Sequence, residues 1–204
     1  LLAATYGLKG KWERVADARK TSAQYFENEK LFDEAAAEYL AATARFTSLM
    51  DLSEALSCSE KAFTLSERSK NINIQSRALG LMGNITAMLG KPDEGQEIVR
   101  KGLDLALKYN LTEAASEIYR RLASTMEYRS DYISAKSAYN NAYSFCVTTG
   151  SEVYAQICLG CMSYIFFQTG EWKKALKVCN DVLQNKKSPD GSKNAAMAIM
   201  GLIY

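Results

Sequence analysis

The sequence repeats itself every 40 residues. In Gly170-Glu171-Trp172-Lys173-Lys174-Ala175 a turn residue is followed by an aromatic two positions on and by a small residue three after that. Stepping back by 40 gives Ser130, Tyr132 and Ala135, then Gly90, Pro92 and Gly95, then Met50, Leu52 and Ala55, then Gly10, Trp12 and Val15, with no insertion anywhere. A fixed period between about 20 and 50 residues means that one supersecondary unit is stacked on copies of itself, because a unit of that size cannot bury its own apolar face alone.

Each unit reads as two amphipathic helices. Turn and cap residues fall at regular places, among them Gly10, Met50, Lys70-Asn71, Gly90, Asn110, Ser130, Gly150 and Gly170. Gly90, Gly150 and Gly170 suit the left-handed residue that ends a helix, and Pro92 suits a first turn, where its missing N–H costs nothing. Between these marks the apolar residues recur at helical spacing, as in Ile157, Cys158, Cys161, Met162, Ile165 and Phe166. The pattern predicts helices over about 11–28, 31–48, 51–69, 72–89, 91–108, 111–129, 131–149, 151–169, 171–186 and 192–204. It requires no strand, and nothing resembling a linker interrupts it, so residues 1–204 are expected to form one all-α domain, a right-handed superhelix of helix pairs. Small residues recur 40 apart where the helices of a pair must cross: Ala3, Thr43, Gly83, Ala123 and Ser163 on first helices, Val15, Ala55, Gly95, Ala135 and Ala175 on second helices.

Composition excludes more than it assigns. A chain that is 48% hydrophobic can bury a continuous core, and a net charge of +2 gives no nucleic-acid footprint. No apolar run approaches the ~20 residues that span a bilayer. The sequence opens Leu1-Leu2-Ala3-Ala4-Thr5-Tyr6 without Met, as the cut end of a helix would, so a piece of a longer protein is expected. Five Cys without disulfide-rich spacing fit a reducing compartment such as the cytoplasm, and the absence of His removes the commonest general base and metal ligand. No catalytic, cofactor or metal site is expected.

Leu2-Ala3-x-x-Tyr6 followed by Gly10-x-Trp12, Met162-Ser163-x-x-Phe166-x-x-x-Gly170-x-Trp172-x-x-Ala175, and Leu122-Ala123-x-x-Met126 with Tyr132 and Ala135 together resemble tetratricopeptide repeats, here with a period longer than the usual ~34 residues. Within that superfamily, Leu105 to Ala114, Gly150 to Ala155, and Gly170 to Ala175 running on to Leu183 look like the helical sensor region of MalT- and LuxR-like signal-transduction ATPase regulators. The resemblance implies a module without catalysis of its own that senses a partner protein, peptide or small effector and regulates transcription. A protein-assembly adaptor is the alternative. Neither a Walker A motif nor a basic recognition helix is found, so no direct nucleic-acid contact is expected.

A solenoid of this kind lines its concave face with first helices. The residues expected there are Arg77, Gly80, Asn84 and Ala87, then Glu117, Arg120, Ser124 and Glu127, then Ile157, Gly160, Tyr164 and Phe167, a groove with a polar middle and an aromatic end. Gly80 occupies the place where a carboxylate-clamping repeat carries Lys, which disfavours a chaperone-tail ligand. Cys158-x-x-Cys161, with Cys179 nearby, is expected to pack as small apolar groups, since a structural zinc needs four ligands. Tyr119, Tyr128, Tyr132, Tyr139 and Tyr143 are expected between helices, and Lys173, Lys174, Lys177, Lys186 and Lys187 on a solvated face. Ala198, Ile199, Leu202 and Ile203 begin a further unit with nothing to cover them, which predicts self-association through the last helix.

Overall fold

In the computed structural model, residues 10–204 are described, and they fold into helices that begin at a spacing of 20. The described helices are α1 (Trp12–Asn28), α2 (Phe32–Ser48), α3 (Leu52–Ser69), α4 (Ile72–Met88), α5 (Pro92–Lys108), α6 (Thr112–Tyr128), α7 (Tyr132–Thr148), α8 (Glu152–Gln168), α9 (Trp172–Gln184) and α10 (Asp190–Ile203). No strand occurs among the described residues. The motif residues Leu2, Ala3 and Tyr6 lie outside them.

The regular spacing comes from one stop signal used over and over. Gly10, Lys30, Met50, Lys70, Gly90, Asn110, Ser130, Gly150 and Gly170 all take a positive φ, between 54° and 88°. At each stop after the first, the following N–H reaches back to a carbonyl five residues upstream, as in Leu31 to Phe26 at 2.9 Å, Asp51 to Phe46 at 3.0 Å and Ser151 to Cys146 at 2.7 Å. This is the Schellman closure, which satisfies carbonyls that a helix end would otherwise orphan. Sequence reading marks glycine at three of these stops as left-handed; Lys30, Met50, Lys70, Asn110 and Ser130 adopt the same conformation because the closure demands it. The next helix then starts from Asp51, Asn71 or Asp131, whose side chains accept from Glu54 N, Ile74 N and Ser134 N at 3.1 to 3.2 Å. The rhythm changes once. α9 ends at Gln184 with Asn185 extended, and Pro189 caps α10, so α10 starts two residues earlier than its spacing predicts.

The chain groups into two compact units, Leu1–Ala114 and Ala115–Tyr204. In the first, each helix from α1 to α4 packs on the next, and α2 also touches α4. In the second, α7 packs on α8, α8 on α9 and α9 on α10, and α8 also touches α10. A helix that meets both its partner and the next helix but one is the contact pattern of stacked pairs. The small crossing residues are buried throughout: Thr43 and Ala55, Ala123 and Ala135, and Ser163 and Ala175 are all 0% exposed. Where the crossing residue is polar, its hydroxyl bonds within its own helix, Thr43 Oγ1 to Tyr39 O at 2.9 Å and Ser163 Oγ to Gly160 O at 2.7 Å. Gly83 and Gly95 bring α4 and α5 closest, since a Cβ on Gly95 would stand 2.4 Å from the Gly83 carbonyl oxygen.

Trp12 and Trp172, the first residues of α1 and α9, are 49% and 56% exposed, whereas Tyr132, which opens α7, is half-buried and packs against the core of the second unit. The tyrosines divide. Tyr139 is buried and Tyr119 stacks on Phe145 with centroids 4.8 Å apart, while Tyr128 is exposed. On α10, Ile199 is buried and Ile203 packs against the core because α8 and α9 both cover that helix; Met197, Ala198, Leu202 and Tyr204 stay exposed.

Candidate functional site

First helices present two kinds of surface, one in each unit. In the first unit, Arg77 on α4 is half-buried and donates from Nη2 to Glu113 Oε1 at 3.0 Å. Asn84, two turns on, is buried; its Nδ2 meets only the Met88 sulfur at 3.5 Å, and its Oδ1 has no hydrogen-bond partner. Gly80 and Ala87 point elsewhere. A Cβ on Gly102 would lie 3.1 Å from Gly80 N, and one on Gly95 would lie 2.9 Å from Ala87 Cβ, so both residues face α5. The inner-face pattern expected along α4 is therefore occupied in part by pair packing, because two glycines draw α5 in so far that it takes up that side of the helix.

The second unit assembles the polar residues. Glu117, Arg120 and Glu127 of α6 are half-buried, and Ser124 is buried with its hydroxyl bonded back to Arg120 O at 3.1 Å. Spacings of three and four put these four on one helix face. Arg121 is 9% exposed and donates from Nη2 to Glu117 Oε1 at 2.7 Å. The Tyr154 hydroxyl of α8 reaches Glu117 Oε2 at 3.5 Å. Glu127 accepts from the Tyr139 hydroxyl of α7 at 2.7 Å. Burial pushes the Glu127 carboxyl above its ordinary range, while the Tyr139 hydrogen bond and the charge of Arg120 act the other way. Burial likewise lowers Arg121. For Arg120 burial is outweighed by Cys161, Tyr139 and Glu117, so its guanidinium is held all the more firmly charged.

Near α6, α8 supplies Cys161 and Tyr164; Ile157 and Phe167 on the same helix are half-buried too, and no charged side chain follows Glu152. Cys161 lies within hydrogen-bonding reach of both Tyr139 and Arg120. Burial raises the Tyr164 phenol, with Tyr132 and Gln168 beside it. Gly160 faces α10 instead, 3.2 Å from Ser192 Cβ if a Cβ is built on it. The unit thus carries a strip with charge on α6 and aromatic surface on α8.

Sequence reasoning misses Arg121, Tyr139 and Tyr154 as members of this network. The i,i+4 spacing of Glu117 and Arg121 is the one signal present. The thiols also pair differently from their sequence order. Cys158 lies with Cys146 in a cluster flanked by Tyr119, Tyr143 and Tyr154, whereas Cys179 packs in a separate core beside Ser163. Hydrogen bonds from Cys158 and, more weakly, from Ser116 bring the Cys146 thiol down to about 7, while the bond to Cys146 and burial push Cys158 up. Among the described residues no group of three or more His, Cys, Asp or Glu is placed to hold a metal ion, and no described helix is long and apolar enough to cross a membrane. Elsewhere in the first unit, a cleft of about 440 Å³ between α1 and α3 is lined by Lys20, Glu27, Tyr39 and Lys61. Its cations are already held, Lys20 by Glu54 at 2.6 Å and Lys61 by Glu27 at 2.9 Å. Of the terminal lysines, Lys174 holds Glu171 at 2.5 Å and Lys187 pairs with Glu152, while Lys173, Lys177 and Lys186 are exposed.

No protein-family profile matches the sequence, and no curated protein sequence matches it significantly. Solved structures do. A Rap protein complexed with competence and sporulation factor superposes with a TM-score of 0.75 at 11% identity, over 98% of this chain and 54% of that one. BtubC (BKLC) from P. vanneervenii gives 0.69 at 12% identity, over 95% and 83%. A signal transduction ATPase with numerous domains and a tetratricopeptide repeat sensor, from Pyrococcus horikoshii, gives 0.66 at 17% identity, over 99% of this chain and 32% of that one. The fold is that of tetratricopeptide-like helix-pair repeats. Identities this low carry the fold and nothing beyond it.

Proposed function

We propose that this chain is a non-catalytic interaction module that holds a partner protein or peptide against its first helices, and that it serves as the sensor region of a MalT- or LuxR-like transcriptional regulator. One observation carries the binding reading: in the second unit, α6 and α8 place half-buried charge beside half-buried aromatic surface, the mixture that polypeptide-binding grooves use for orientation and for anchoring. Two of the similar structures support it, one being complexed with a factor and the other carrying a repeat sensor in a multidomain ATPase. Glu117 and Glu127, the carboxylates of this strip, are taken by Arg121 and Tyr139, which suits binding better than acid–base chemistry.

Selection of random dodecapeptides on the whole chain, followed by hydrogen exchange with a selected peptide bound, tests the binding surface. Added protection is expected along 117–127 and 157–167 and not along α7 or α9. Protection confined to the second helices would overturn the assignment of the surface. The regulatory role is tested by the reading frame: a nucleotide-binding domain before this region and a helix-turn-helix after it are expected, and a frame with neither would favour the adaptor.

A further inference from the structure

Arg120 is a half-buried cation on which Glu117 and Glu127 act through their charges but to which neither is joined in a direct ion pair. The two acidic groups nearest along its helix face are engaged elsewhere. Glu117 accepts from Arg121 at 2.7 Å and lies 3.5 Å from the Tyr154 hydroxyl. Glu127 accepts from Tyr139 at 2.7 Å. What faces Arg120 from the neighbouring helices is neutral: the Cys161 thiol of α8, within hydrogen-bonding reach, and the Tyr139 hydroxyl of α7, already donated to Glu127. One turn beyond Cys161 stands Tyr164, and three residues further Phe167, both partly covered and both packed on the core of the second unit.

A guanidinium has five donors in a planar fork, and a thiol and a phenol cannot satisfy them. The remaining donors match a carboxylate in two-pronged geometry. Exposed lysines such as Lys173 and Lys177 lose little by staying in water. Arg120, by contrast, sits where solvent is restricted and where an ion pair is screened less than on open surface.

We propose that the second unit holds an acidic side chain of a bound peptide, with Arg120 as the ion-pairing group and Tyr164 and Phe167 as the wall for an apolar residue beside it. The site rests on the peptide-binding reading above and adds the chemistry of what is bound: an internal Asp or Glu next to a large apolar residue. Glu127 sets the selectivity. Its carboxyl stands seven residues from Arg120 on the same face, and wherever it is ionised it repels a second acid, so it limits how many acidic residues the strip accepts.

The test uses the whole chain and pools of acetylated, amidated pentapeptides whose central residue is fixed as Asp, Glu, Asn, Gln or Lys, with Leu, Phe and Ala randomised around it. Blocked ends leave the side chain as the sole carboxylate. Binding by fluorescence polarisation is expected to be about tenfold tighter for the Asp and Glu pools than for Asn and Gln, and weakest for Lys. Arg120→Gln should abolish the preference and Arg120→Lys should retain part of it, each with an unchanged circular dichroism spectrum. Glu127→Gln, which keeps an acceptor for Tyr139, should strengthen binding of the acidic pools at neutral pH. Equal binding of all pools, or a preference that survives Arg120→Gln, overturns the acidic-residue proposal and leaves peptide binding standing. Failure of every pool to bind overturns both.

Discussion

Replacing Gly95 by alanine should destabilise the chain, against the intrinsic preference of the helix. Gly95 lies inside α5, where Ala is favoured over Gly by about 1 kcal/mol. The added Cβ would stand 2.4 Å from Gly83 O, 2.8 Å from Ala87 N and 2.9 Å from Ala87 Cβ. Two of those atoms are backbone and none is the end of a flexible side chain, so relief requires α4 and α5 to separate by about 1 Å along a tightly packed crossing. Overpacking of this kind costs up to about 3 kcal/mol, which leaves a net loss of about 2 kcal/mol after the helix gain. Gly201 and Gly191, helical positions with nothing within 4 Å of a built Cβ, supply the opposite control: alanine there should be neutral or stabilise by up to about 1 kcal/mol. Urea unfolding followed by circular dichroism reads all three, the slope being checked for constancy before midpoints are compared. The double substitution Gly83→Ala with Gly95→Ala should cost less than the sum, because the first Cβ opens the spacing that the second needs. The equivalent crossing in the second unit, Ala123 with Ala135, carries two Cβ atoms and is fully buried. Stabilisation by Gly95→Ala, or strict additivity of the pair, would refute the close-approach argument.

Further outcomes follow from the same geometry. Met50→Gly and Lys70→Gly should each raise stability by about 0.5 kcal/mol, the relief of a left-handed L-residue less the greater unfolded-state freedom of glycine, whereas Gly150→Ala should lower it by about 1 kcal/mol although its Cβ would meet nothing. Tyr139→Phe should destabilise by about 1 to 2 kcal/mol and move the Glu127 carboxyl further up, which carbon-detected NMR titration would read; a Glu127 titration unmoved by the change would break the assignment. Glu171 is held at about 2 by hydrogen bonds from Lys136 and Lys174, below its ordinary 4.5. A carboxyl depressed on folding stabilises above its unfolded value, and that contribution is lost as pH falls. The stability difference between the parent and Glu171→Gln should therefore be full above pH 4.5 and shrink towards pH 2, and a pH-independent difference would contradict the Lys136–Glu171–Lys174 cluster.

The sequence by itself determined the period, the helices and the crossing points. These are local properties: apolar spacing sets each helix, and a pair of helices can cross only where both residues are small, so Thr43 with Ala55 or Ser163 with Ala175 can be picked out 40 residues at a time. What only the tertiary structure decided is everything that depends on how deep each crossing goes. Gly83 and Gly95 draw α5 so close that Gly80 and Ala87 turn to the partner helix and Asn84 is buried, and no one-dimensional pattern carries that distance. Met50 and Lys70 were legible as turns, but the left-handed φ there and at Lys30 was hidden, because a non-glycine residue takes it only when a Schellman closure and a following helix hold it there. Partner choice was hidden for the same reason: Glu117 takes Arg121 from its own helix and Glu127 takes Tyr139 from the next, which leaves Arg120 without a direct ion pair, and only packing in three dimensions assigns them.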